Sequence, residues 1–258
     1  MESPRLIQYW RSQRIPSDVY KLCQQTRARN DSLRHQIFDH GAAAEMIRTR
    51  LGHREHAAFE ACAVPAMQAD YFRYCAVFAL GGIYCDADSA CTGSLKLLLE
   101  ADGTLFFFER KGEPRVMINH IFAFREPGHP LLRLAIDIAT VNVESRFTEL
   151  VPFVAGQPIL MLLQEIRRTG SIDEYIDRLQ RGWLSRRENA RIDHRRWHEH
   201  FDVVRTVIGD YSRVKDAFTG VRVRSYHEVS HLVDCGDSNL AYRRTSEHYP
   251  NWSGSIYR

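Results

Sequence analysis

No run of apolar residues in this 258-residue chain is long enough to cross a bilayer. A spanning helix needs about 20, and the longest candidate, Pro158 to Leu163, reads as a short piece of buried helix. No apolar core follows Met1 to Arg5, so no secretory signal is expected. The six cysteines stand at 23, 62, 75, 85, 91 and 235, none in a Cys-x-x-Cys pair, which argues against a zinc knuckle. Scattered thiols suit a reducing compartment, and the expected location is cytoplasmic. Low-complexity tracts and repeats of fixed period are also missing. An excess of one charge is lacking too: 35 basic against 32 acidic residues leave a formal +3, which does not argue for nucleic acid as a partner.

One stretch is locally basic. Arg181, Arg186, Arg187, Arg191, Arg195 and Arg196 face only Glu188 and Asp193. The plain expectation is a solvated helix face. The sharper one is peripheral contact with anionic lipid head groups or phosphorylated acceptors at the inner membrane face. Within it, His194 and His198 stand four apart, but no Glu occupies the place of a zincin's base, so the helix is expected to be solvated rather than to bind zinc.

What is present is an alternation of strand and helix signals. Leu6 to Trp10 reads as a strand. Pro16 and Ser17 open a helix running to about Asn30, with Ser17 as N-cap. Leu33 to Phe38 is a second strand. Gly41–Arg50, Glu55–Val64 and Pro65–Leu80 read as helices, the last closed by Gly81-Gly82. A short strand, Ile83 to Cys85, leads into Asp86. Thr104–Glu109 and Val116–Phe124 are further strands. Helices follow at about Pro130–Val141 and Pro158–Arg168, and the capping box Ser171-x-x-Glu174 opens another. Val221–Arg224 and Leu240–Tyr242 are late strands. This order indicates an α/β sheet whose second half is richer in helix, with no linker dividing independent domains.

The chemistry concentrates between Asp70 and Asp88. Asp70 and Arg73 share a helix face and can pair. Asp86 and Asp88 follow the strand end, and both point to one side if the backbone stays extended. Two carboxylates so close are unfavourable unless a cation neutralises them. Hard oxygen ligands select magnesium or manganese, which keep waters and bind substrate phosphates. The C-terminal end of a strand is also where open α/β sheets bind ligands. The physical reading is a metal–diphosphate site, although Asp-x-Asp alone is a common tripeptide.

The run Asp70-x-x-Arg73-Tyr74, then Gly81-Gly82-Ile83-Tyr84-x-Asp86-x-Asp88, resembles the DXD-containing sugar-binding region of a glycosyltransferase family. Its members include fungal outer-chain mannosyltransferases, bacterial capsular polysaccharide and lipopolysaccharide transferases and, more distantly, the glucosylating toxins. Ile7-Gln8-Tyr9-Trp10 with Ile15-Pro16 is similar to the family's opening strand, and Leu33 to Asp39 to its second. The core resemblance spans about Ile7 to Gly93, with a looser echo through Asn119 and Gly128-His129-Pro130 to Phe147. Near the acceptor side the family often has Thr-Gly-Pro, whereas Ala155-Gly156-Gln157-Pro158 stands here.

The resemblance implies a GT-A-like fold: a Rossmann-like nucleotide-binding half over about 1–125 with a mixed sheet, and a helix-rich acceptor-side half over about 126–258. It implies a retaining hexosyltransferase of the DXD type that requires Mn2+ or Mg2+. The donor would be a nucleotide-sugar, a UDP-sugar favoured and GDP-mannose possible. The acceptor would be a glycan, as in polysaccharide biosynthesis, a lipid-linked saccharide or a protein. Asp88 would bind the metal, and Asp86 the donor ribose and a metal-bound water. Asp70 and Arg73 would hold sugar and diphosphate, with Arg73, Asp86 and Asp88 catalytic. Gln8, Tyr9, Trp10 and Tyr84 would belong to the donor pocket, with Tyr9 or Trp10 near the base. In the C-terminal segment His248 would complete the metal shell and Trp252 would cover the diphosphate. Two other readings compete. An aspartyl-phosphate phosphatase has Asp-x-Asp-x-Thr, but Ala90 stands at the fifth position. A non-catalytic nucleotide-sugar or glycan-binding protein would keep the pocket without turnover.

Overall fold

The computed structural model describes residues 3–109, 116–146, 148, 150–182, 194–234, 240 and 252–258. In chain order the elements of the first half are β1 (Arg5–Tyr9), α1 (Ser17–Arg29), β2 (Arg34–Phe38), α2 (His40–Arg50), α3 (His53–Ala61), α4 (Pro65–Leu80), β3 (Gly82–Cys85), β4 (Ala90–Cys91), β5 (Gly103–Phe108) and β6 (Val116–Phe124). There follow α5 (Pro130–Ser145), α6 (Val151–Ala155), α7 (Pro158–Thr169), α8 (Asp173–Gly182), α9 (His194–Ile208), α10 (Ser212–Ala217), β7 (Val221–Ser225) and β8 (Val233–Asp234).

Among the described residues six strands form one sheet in the order β2-β1-β3-β6-β5-β7. β1 runs parallel to β2 and β3, β6 is antiparallel to β3 and β5, and β7 pairs in parallel with β5. The sheet is therefore mixed, and its last strand comes from the second half of the chain. β4 and β8 form a separate antiparallel pair.

Strand periodicity sorts the sheet's side chains between two cores. On one face Ile7, Tyr9, Tyr84, Leu105, Phe122 and Phe124 meet most of the helices in one large cluster. On the other, Leu6, Ile83, Cys85, Phe106, Ile121 and Ala123 pack on Leu95, Leu98 and Tyr226. α4 lies in the middle of the larger core. Met67, Tyr71, Phe72, Tyr74, Cys75 and Val77 are all buried, so apolar residues surround nearly the whole helix. Pro65 opens it, where a missing N–H leaves no partner wanting. Gly81 and Gly82 close it at φ 64° and 103°, and a Cβ on Gly82 would stand 2.5 Å from the Arg5 carbonyl. Only glycine lets the chain leave α4 and enter β3 this tightly against β1.

Several sequence expectations need adjusting. Pro16, not Ser17, occupies the N-cap of α1, and no side chain caps it. α3 ends at Ala61 rather than Val64, because residues 61–63 bond instead to the C-terminus: Ala63 N–H to Ile256 O at 2.9 Å and Arg258 N–H to Ala61 O at 2.8 Å. α9 is not a solvated helix. Trp197, His200, Phe201, Val204 and Ile208 are buried, and the helix packs on α5. His200 is pushed down to about 4 by burial and sits 3.3 Å from Ser145 Oγ, so it is neutral there. Of the basic stretch, residues 183–193 lie outside the described residues; Arg195 pairs with Glu199 and Arg196 donates to the Arg146 carbonyl. Of the expected strand Leu240–Tyr242 only Leu240 is described. No helix among the described residues is long and apolar enough to cross a membrane.

Candidate active site

A cavity of about 540 Å³ opens at the C-terminal ends of β1 and β3. Tyr9, Trp10, Arg11 and Ser12 line it from the end of β1, and Asp86, Ala87 and Asp88 from the end of β3. α4 contributes Pro65, Ala66, Ala69, Asp70 and Arg73, and β6 contributes Asn119. Pro152, Gly156 and Gln157, from α6 and the junction to α7, close the remaining wall. The site thus draws on both halves of the chain.

Arg73 is its electrostatic centre. One guanidinium nitrogen lies 3.1 Å from Asp70 Oδ1 and 3.0 Å from Asp86 Oδ1. Its Nε donates to the Ala69 carbonyl at 3.2 Å, and its plane lies 4.9 Å from the Tyr84 ring centroid. Burial opposes the charge, but the Asp86 and Asp70 carboxylates hold Arg73 protonated. The Asp70–Arg73 pair predicted from helical spacing therefore exists, within the molecule and not on its surface. Asn119 Nδ2 supports Asp70 with a hydrogen bond to Oδ1 at 2.9 Å. Burial raises Asp70, while Arg73 and Asn119 counteract it.

The Tyr84 phenol donates to Asp86 Oδ1 at 2.8 Å. Even with Tyr84 and Arg73 on this oxygen, Asp86 is pushed up to about 7, by burial first and by the neighbouring Asp88 charge. The extended strand end expected for Asp86 to Asp88 is instead a turn: Ser89 N–H donates to the Asp86 carbonyl at 3.1 Å. Ala87 is buried with Val19 and Cys23, which leaves Asp86 and Asp88 on the cavity side. Two crowded oxygen ligands, one short of compensating charge despite an arginine, fit a hard divalent cation. Among the described residues no group of three metal-binding side chains is found. His248 lies outside the described residues.

Not every expected donor contact is direct. Gln8 and Tyr84 are fully buried and do not line the cavity; Gln8 bonds to the Asp86 carbonyl, and Tyr84 touches both Asp86 and Arg73. Trp252 does not line the cavity; its indole N–H donates to the Ser255 carbonyl at 3.2 Å. Tyr9 does line it, and its hydroxyl is held by Gln68 Oε1 at 3.1 Å. Arg11, Ser12 and Pro152 are not singled out by the sequence, and Gln157 enters there only where the chain departs from the family's Thr-Gly-Pro. Asn119 belongs only to the looser part of the sequence resemblance. Its signal was there, since Asn119-His120 interrupts the otherwise apolar β6. Gly156 sits so close that a Cβ would meet the Pro152 carbonyl at 2.5 Å and Asp70 Oδ2 at 3.1 Å.

Residues 8–104 match the family described as glycosyltransferase sugar-binding region containing DXD motif. The resemblance read from Asp70 to Asp88 is thereby shown. No curated protein matches the chain. Among solved structures it is similar to one described as PaToxG Glycosyltransferase, with a TM-score of 0.52 and 16% identity over 90% of this chain and 89% of that one. At this identity the likeness concerns the fold, and the fold is the GT-A-like one expected. The matched sequence contributes Tyr9, Asp70, Arg73, Asp86 and Asp88 to the cavity.

Proposed function

We propose that this protein is a metal-dependent, retaining glycosyltransferase that moves a hexose from a nucleotide-sugar to a saccharide, lipid-linked saccharide or protein acceptor. One observation carries the reading: Asp70, Arg73, Asp86 and Asp88 converge on a single cavity at the strand ends, with Arg73 bridging Asp70 and Asp86. A uridine diphosphate sugar is the favoured donor and guanosine diphosphate mannose the alternative. The cavity volume suits a ligand of that size.

Asp88 and Asp86 are the residues to hold Mn2+ or Mg2+, which when bound supplies Lewis-acid neutralisation of the departing diphosphate. Arg73, fixed from two sides before substrate arrives, adds stabilisation where negative charge develops. The Asp70 carboxylate, oriented by Asn119 and Arg73, accepts hydrogen bonds from sugar hydroxyls. Asp86 faces the ribose, and Tyr9 or Trp10 the base. Arg195 and Arg196 mark the described end of a basic stretch suited to a peripheral contact with anionic membrane, and a cytoplasmic location remains part of this reading.

The test is a screen of nucleotide-sugars for slow hydrolysis in the presence of manganese, which requires no acceptor. One donor consumed above all others, and only with metal, supports the reading. Binding of a nucleotide-sugar with no turnover under any acceptor or metal condition points instead to a non-catalytic binding protein.

A further inference from the structure

The peptide backbone of the Asp86–Asp88 turn is gripped from outside the cavity. β1 and β3 pair only through Leu6–Ile83 and Ile7–Tyr84. Beyond that the strands part, and Tyr9 and Asp86 both line the cavity. Where the backbone ladder stops, a side chain continues it: Gln8 Nε2 donates to the Asp86 carbonyl at 3.3 Å. On the other side of the same residue, Asp86 N–H donates to the His120 carbonyl at 2.8 Å.

Gln8 is itself oriented. It follows Leu6 by two residues and so shares that face of the sheet, and His35 on β2 stands level with Leu6. His35 Nε2 lies 2.7 Å from Gln8 Oε1. An amide has a donor end and an acceptor end of nearly equal shape. With the acceptor end taken by an imidazole N–H, the donor end faces Asp86. Reversed, the amide would set oxygen against carbonyl oxygen at Asp86. Gln8 has no exposed surface and does not line the cavity, so it does not touch a ligand itself; its side-chain link to the cavity is this carbonyl.

We propose that Gln8, oriented by His35, is a positioning residue that fixes the turn so that Asp86 and Asp88 present their carboxylates to the metal. The inference rests on the metal–donor reading above and assigns Gln8 a role different from donor contact. Supporting groups of this kind typically change metal affinity or activity by about 10–100-fold.

The test combines Mn2+ binding, titrated by electron paramagnetic resonance with uridine diphosphate present, with donor hydrolysis and melting temperature. Gln8→Met keeps the volume and removes both hydrogen bonds. It should weaken Mn2+ binding by about tenfold or more and lower kcat more than it raises the donor KM. His35→Phe should act in the same direction. Because His35 works through Gln8, the double variant should bind Mn2+ no worse than Gln8→Met alone. Wild-type Mn2+ affinity in both variants, whatever their melting temperatures, overturns the proposal, as does a double variant whose losses multiply. If Gln8→Met does not fold, His35→Phe, which leaves Gln8 in place, decides by the same affinity measurement. A wild-type protein that binds no Mn2+ refutes the metal reading itself, and the proposal with it.

Discussion

Replacing Arg73 by lysine keeps the charge and removes the geometry. The guanidinium bridges Asp70 and Asp86, anchors to the Ala69 carbonyl and stacks against Tyr84. A lysine ammonium carries its charge as a point on a flexible stem and cannot keep all four contacts. Losing one charge-assisted hydrogen bond is worth about 1.5–3 kcal/mol. In a domain of this size each kcal/mol moves the melting temperature by about 2–4 °C, so a fall of about 3–12 °C is expected. If the same contact stabilises the departing diphosphate, about 2.7 kcal/mol is a hundredfold in rate. The assay is manganese-dependent donor hydrolysis beside a thermal melt, with Arg73→Met as the severe case. Removing the cation entirely leaves the partly buried Asp70 and Asp86 carboxylates without their shared counter-charge, so Arg73→Met should lose more stability than the lysine variant. A lysine variant that melts as wild type and hydrolyses donor within about threefold of it would refute both the bridging role and the catalytic one.

Asp88→Asn should abolish donor hydrolysis while leaving the metal-free melting temperature nearly unchanged, because Asp88 lies at the cavity surface and not in either core; full activity in EDTA would contradict it. A nucleoside diphosphate at a hundred times its Kd, with manganese, should stabilise the fold by about 2.7 kcal/mol, so one nucleotide should stand clearly above the others in a thermal-shift series. His200 is held neutral by burial, down at about 4 from 6.5. The unfolded chain therefore binds more protons than the folded one between these values, and stability falls as pH drops from about 6.5 toward 4. A shift of that size corresponds to about 3 kcal/mol; His200→Gln should remove that part of the acid sensitivity in denaturant titrations at pH 7 and pH 4.5, and an unchanged pH slope would count against it.

Sequence alone determined the order of the longer strands and helices, though not α6, α10, β4 or β8, the bounds of α4 between Pro65 and Gly81, and the grouping of Asp70, Arg73, Asp86 and Asp88. These are legible because they rest on local rules: helical spacing, the proline start, the glycine stop and carboxylates at a strand end. What only the tertiary structure decided depends on partners distant in the chain. α9 reads as a polar, histidine-bearing helix until α5 covers its Trp197 and His200 face. Gln8 and Tyr84 read as donor contacts, yet strand alternation and the packing of α4 bury both and make them supports for Asp86. Asp86 and Asp88 face one way because Ala87 is held by Val19 and Cys23 of α1, some 65 residues earlier in the sequence. The wall formed by Pro152, Gly156 and Gln157 meets Asp70 only after the second half folds over the first, and no short-range pattern encodes a contact closed over that distance.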